Sequence, residues 1–148
     1  MPNNRLPHLT SDDWTLINSK ARRCVFKAGE EIIHQGSFGD RIYIVRKGEA
    51  CVQLGITSHH TVLATLGPDD ICGDMAFLEK GRATAAVIAK DAEVEADEIT
   101  ADDLREIFEA FPRLASRFYM SLAVVLARRL RDTSRELGRV LEISRPRS

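Results

Sequence analysis

A chain of 148 residues can bury one sizeable core but not comfortably two, so a single compact unit spanning residues 1–148, with a helical appendage, is expected. The 21 lysines and arginines against 22 aspartates and glutamates leave a formal net charge of −1, so whole-chain charge gives no reason to expect nucleic acid or a membrane surface as partner. The polar start MPNNRLPHLTSDDW is unlike a signal sequence, and no apolar run is long enough to span a bilayer, which together point to a cytoplasmic protein.

In chain order, LTSDDWTLINSK opens with Thr10 or Ser11 as N-cap, and Trp14 and Ile17 lie three apart, which predicts a short helix. The period then falls to two. Short β-rich runs follow at Cys24–Phe26, Glu31–His34, Arg41–Arg46 and Glu49–Leu54, separated by Gly29, Gly36, Gly39 and Gly48. HTVLATL adds a strand that ends in a turn at Gly67-Pro68, and TAAVIAKDAEVEADEIT adds two more around Lys90-Asp91. Asp69-Asp70 belongs to a turn. Many short strands at this spacing indicate an antiparallel sandwich or barrel over about residues 21–99. Cys24, Cys51 and Cys72 stand far apart in strand-like segments and are expected as small buried residues of a reducing compartment. His59 and His60 share a polar link without further ligands at zinc-like spacing, so they are expected in a loop.

Past Thr100 the period becomes helical. Thr100 is the expected N-cap, and Asp102 and Asp103 complement the dipole of a helix over about 101–111 whose stripe is Leu104, Ile107 and Phe108. Pro112 breaks it and can occupy the first turn of a long helix over about 113–142. Leu126, Leu130, Thr133, Leu137 and Val140 alternate at spacings of four and three, the seam of a coiled coil. A helix of this length would overhang a small barrel, so a homodimer through this seam is expected. Nine arginines against three acids from Arg113 to Ser148 make the segment basic, which is read as a solvated face.

The stretch CGDMAFLEKGRATAAV, Cys72–Val87, sets one arginine among small residues. Glycine and alanine let backbone N–H groups approach a ligand, and the guanidinium of Arg82 is a planar fork of donors suited to phosphate. On this window alone, an anion pocket and a solvated surface turn are both open. The chain shows no Ser-His-Asp order, no metal-ligand cluster and no paired carboxylates in a plausible cleft, so an enzyme is not expected.

The order of elements, together with two segments, resembles the cyclic nucleotide-binding domain family of catabolite activator-like proteins over about Leu9–Leu141. AGEEIIHQGSFGDRIYIVRKGEACV carries the resemblance in Gly29, Ile33, Gly36, Gly39, Asp40, Tyr43, Ile44 and Gly48. LGPDDICGDMAFLEKGRATAAVIA carries it in Gly73, Asp74, Leu78, Arg82 and Ala83. The resemblance implies an α+β fold: an antiparallel, jelly-roll-like β-roll with a short N-terminal helix, a short phosphate-cassette helix and two C-terminal helices, the last one long. It further implies a cyclic nucleotide as ligand and no other cofactor, held by Gly73, Asp74, Met75, Ala76, Arg82, Ala83 and Thr84. Arg82 corresponds to the phosphate-binding arginine. Met75, Ala76 and Phe77 would supply backbone amides or shape.

Asp74 stands where the family usually carries a glutamate that accepts the ribose 2′-hydroxyl, Cys72 where an aromatic is common, and Asp69 where glycine is common. The shorter Asp74 requires either a closer backbone or a bridging water. Ala83 after the arginine, rather than threonine or serine, leans toward cAMP over cGMP, although Thr84 is one position further on. Ser121, Arg128 and Arg129 are candidates to cap the base. The family's signalling would pass through movement of the C-terminal helices to an effector domain or protein. The chain ends without a recognition helix, so no direct DNA contact is expected of it. A ligand-free or cyclic-dinucleotide-binding interaction module is the alternative.

Overall fold

The computed structural model describes residues 6–55 and 61–143. Within them the order is α1 (Ser11–Lys20), β1 (Arg22–Lys27), β2 (Glu31–Ile33), β3 (Arg41–Lys47), β4 (Ala50–Leu54), β5 (Thr61–Leu66), β6 (Ile71–Cys72), α2 (Asp74–Glu79), β7 (Ala86–Ala89), β8 (Glu93–Thr100), α3 (Ala101–Ala110) and α4 (Pro112–Ile143). The His59-His60 link, Arg145 and Arg147 lie outside the described residues.

The strands form two four-stranded antiparallel sheets, ordered β1-β8-β3-β6 and β2-β7-β4-β5. This is the antiparallel roll with one helix before it, one short helix within it and two after it. Ile42, Tyr43, Ile44 and Val45 on β3 are all buried because both faces of that sheet are covered. Tyr43 and Val45 point between the sheets, joining Ala50, Leu66, Cys72, Val87, Val94 and Ala96. Ile42 and Ile44 point the other way, onto a core made by the helices with Leu104, Phe108, Leu114 and Phe118. The period of two therefore separates two cores rather than a core from water.

Local chemistry ends the helices where the residue types require. Thr10 caps α1 through a capping box, its hydroxyl accepting from the Asp13 N–H at 3.1 Å and its own N–H donating to the Asp13 carboxylate at 3.0 Å. Thr100 caps α3 by accepting from the Asp103 N–H at 3.1 Å. α4 begins at Pro112, whose missing N–H costs nothing in a first turn.

Its 32 residues make a rod of about 48 Å. Leu114, Phe118, Leu122 and Val125 bury the first half, at spacings of four, four and three. From position 131 onward every described residue is exposed, and Leu130 and Leu137 remain 68% and 58% exposed. The helix does overhang the roll. α1 is clamped to the base of α4: Arg117 donates to both oxygens of the buried Asp13, from Nε at 2.6 Å and from Nη2 at 2.7 Å.

The cysteines depart from expectation. Cys72 is buried, but Cys24 and Cys51 are half-buried. Cys24 lies on β1, an edge strand of its sheet and so open to solvent on one side, its Sγ 3.9 Å from the Glu98 carboxylate. Among the described residues, no helix is long and apolar enough to cross a membrane.

Candidate ligand-binding site

A cleft of about 710 Å³ opens between the β2-β7-β4-β5 sheet, the α2 segment and α4. Gly73, Asp74, Met75, Ala76, Arg82, Ala83 and Thr84 all line it. They come together because β6 delivers Gly73 to the start of α2 and residues 82–85 return along the same wall.

Gly73 caps α2 with a φ of 84° and lies so close to β3 that a Cβ would stand 2.6 Å from the Arg41 carbonyl oxygen. Only glycine fits both demands. Behind it, the N–H groups of Asp74, Met75 and Ala76 open the first turn and have no partner within the helix. The Met75 side chain is half exposed at the cleft, whereas Ala76 and Phe77 are buried.

The return segment is held by a short ladder to residues 36–39. Gly36 N–H donates to the Ala83 carbonyl at 2.8 Å, Ala83 N–H to the Ser37 carbonyl at 2.8 Å, and Gly39 N–H to the Gly81 carbonyl at 2.9 Å. Phe38 and Arg82 are paired across it as an isolated antiparallel bridge. The N–H of Ala83 is thereby engaged, so Ala83 contributes shape to the cleft rather than a free donor. Arg82 donates from Nη1 to the Gly36 carbonyl at 2.9 Å.

Asp74 is the buried charge of the site, 2% exposed. Arg129 of α4 donates from Nη1 to its two oxygens, at 3.2 and 3.3 Å, and from Nη2 to the Ile71 carbonyl at 2.6 Å. A buried carboxylate needs such a partner. Cys72 beside it stays a thiol, because burial first and the Asp74 charge second push its pKa up to about 12.

Three helix residues were not legible as site residues: Asp132, Thr133 and Glu136 line the cleft with Arg129. Their offsets of three, four and seven from Arg129 are the helical signal that marks one face. Thr133, taken from sequence as a seam position, therefore also faces the cleft. Leu63, Ala64 and Thr65 of β5, an edge strand paired to β4, form the opposite wall. Of the three base-capping candidates, Arg128 and Arg129 line the cleft. Ser121 does not: it is fully buried under the N-terminal segment, accepting from the His8 N–H at 2.9 Å. Among the described residues, no cluster of His, Cys, Asp and Glu is placed to hold a metal.

A roll that sets a glycine-capped turn, an arginine and a long helix around one cleft defines the class of α+β rolls with a cleft sized for a small ligand. The chain belongs to the cyclic nucleotide-binding domain family, whose model, described as "Cyclic nucleotide-binding domain", matches residues 23–111. It is 30% identical over 142 residues to cyclic GMP-binding protein C of Dictyostelium discoideum, covering 90% of this chain and 5% of the relative. It is also 30% identical over 131 residues to the cyclic AMP receptor protein of Thermus thermophilus, covering 87% of this chain and 58% of that one. The chain thus spans a small part of one relative and little more than half of the other. Among solved structures, the Thermus thermophilus catabolite activator protein superposes with a TM-score of 0.74 at 27% identity, covering 92% of this chain and 62% of that one. A cyclic nucleotide-binding domain from Methylobacillus flagellatus superposes at 0.80 with 18% identity, covering 94% and 76%, a likeness of fold.

Proposed function

We propose that the chain is a single cyclic nucleotide-sensing domain that binds cAMP in this cleft and signals by movement of α4. The observation that carries the reading is the meeting of Arg82, the first turn of α2 and the Arg129–Asp74 pair around one cavity whose far wall is α4. Arg82 takes the cyclic phosphate, and the N–H groups opening α2 complement the same charge. Asp74 keeps acceptor capacity beyond its bonds to Arg129, since a carboxylate offers about four lone-pair sites. It accepts the ribose 2′-hydroxyl directly or through a water, and the ligand's sugar then lies one ion pair away from α4. Thr133, one turn beyond Arg129 on the cleft wall, then meets the base in this reading.

A ligand that contacts the cassette and α4 together favours whichever helix position satisfies both, and shifts the equilibrium by that difference in affinity. The exposed Leu130 and Leu137 give the overhanging half of α4 an apolar seam, on which the chain pairs with a second copy. The output passes to an effector domain or protein.

Asp132 and Glu136 favour a second reading with cGMP as ligand. Guanine presents adjacent N1–H and N2–H donors that a carboxylate accepts in pairs, whereas the edge of adenine offers one amino group. One relative is named for cyclic GMP and the other for cyclic AMP.

Isothermal titration with cAMP and cGMP, with Arg82→Ala as control, tests the proposal. A partly desolvated charge-assisted bond contributes roughly 1.5–3 kcal/mol, so the substitution should weaken binding at least about tenfold. The relative strength of the two titrations decides the base. No heat and no thermal shift with either nucleotide, from folded and nucleotide-free protein, would replace the proposal with the ligand-free or cyclic-dinucleotide module.

A further inference from the structure

Phe38 is 66% exposed and belongs to neither core, yet a cation lies against its ring. The guanidinium carbon of Arg82 lies 4.1 Å from the ring centroid. Their backbones face each other in the bridge between residues 36–39 and 81–83, and the flanking hydrogen bonds hold both chains at fixed register. Gly39 tightens this register, because it packs against the backbone of Ala76 with no space for a Cβ. The ring therefore meets Arg82 from a backbone held by these hydrogen bonds and this packing. One face of the guanidinium rests on Phe38 and one N–H is bonded to the Gly36 carbonyl. The other donors stay available on the cleft that Arg82 lines.

We infer that Phe38 is a positioning residue for nucleotide binding, a stacking platform that orders the Arg82 guanidinium at the cleft before the phosphate arrives. The inference rests on the reading of Arg82 as the phosphate ligand. Arginine is long and rotamer-rich, and an exposed one must be ordered when it captures an anion; a side chain already held in its binding geometry avoids that loss. An aromatic face is suited to the task because it attracts the cation without using any of its N–H donors. A carboxylate at position 38 would hold the charge equally well, but would compete with the phosphate for those donors.

The test pairs calorimetry with spectroscopy on the whole chain. With cAMP as probe, Phe38→Ala should weaken binding about three- to fivefold, the range expected of an exposed cation–π contact. Phe38→Tyr should stay within about twofold of wild type, since it keeps a ring face. The thermal midpoint should fall by no more than about 2–4 °C, because Phe38 lies outside both cores and gives up one exposed contact. In ligand-free protein, the Arg82 Nε–H resonance should lose its ring-current shift in Phe38→Ala and keep it in Phe38→Tyr. In an Arg82→Ala background, Phe38→Ala should add no further loss. Unchanged affinity in Phe38→Ala, an equal loss with Arg82 absent, or an unmoved Nε–H resonance each overturns the inference. Wild-type affinity in Arg82→Ala is a separate result: it removes the functional reading beneath it, while the resonance still decides whether the stack orders Arg82.

Discussion

Arg129 joins Asp74 across 55 residues of sequence, its guanidinium 3.2 Å from a carboxylate that solvent scarcely reaches, and it also ties β6 through the Ile71 carbonyl. The long helix is therefore bonded to the candidate sugar site. Arg129→Ala would leave a buried charge without its cation, at a cost of about 2 kcal/mol, reduced from the full buried-pair value because the arginine is partly exposed. Urea denaturation should show the loss, and adding Asp74→Asn should recover most of it. An unchanged midpoint in the single variant would mean that entering water or another donor takes over the hydrogen bonds of the Asp74 carboxylate.

Gly39→Ala should damage the site from outside the cleft. A methyl group there would stand 2.5 Å from the Ala76 carbonyl oxygen and 2.7 Å from its Cβ, and backbone cannot rotate away as a side chain can. Overpacking of this kind costs about 2 kcal/mol, and relief would displace α2. Thermal unfolding and cAMP titration should both report the change. Normal values for both would show that the 36–39 segment yields without moving α2.

Acid should weaken the domain through two carboxylates in particular. The N–H donors of Arg117 hold the Asp13 pKa below its usual 3.8, against the opposing effect of burial. For Glu98, burial raises the pKa, but the Tyr43 hydrogen bond and the charges of Arg41 and Arg22 outweigh it and hold the value below 4.5. Both folded-state values are depressed, so this stabilisation is complete above the unfolded values near 4 and is lost as pH falls through the lower folded ones. Asp13→Asn should be less stable than wild type at pH 7 but show a shallower decline from pH 5 to pH 2. Parallel curves for the two proteins would remove Asp13 from the account.

The apolar seam on α4 predicts self-association. Leu130→Glu together with Leu137→Glu should leave the roll folded and convert a dimer to a monomer in light scattering, since the two leucines are exposed and beyond the core. A wild-type chain that is already monomeric would sink the pairing and leave the seam for another partner.

Much of this was legible along the chain because it depends on neighbours in sequence. The capping threonines Thr10 and Thr100, the glycines between strands, the break at Pro112 and the segment from Gly73 to Ala83 all express themselves within a few residues. The same is true of the leucine spacing on α4. Contacts between distant segments left no such trace. Nothing in the arginines of α4 distinguishes Arg129 from Arg128 until the packing of Phe118, Leu122 and Val125 turns one face of the helix to the cassette. Ser121, two turns earlier, is turned under the N-terminal segment by that same rotation. Arg82 was legible along the chain but Phe38 was not, and the two become a pair only through the ladder that joins residues 36–39 to 81–83. Local propensity writes elements into a sequence, whereas the rotation of a helix and the partner of a charge follow from how those elements bury their apolar faces together.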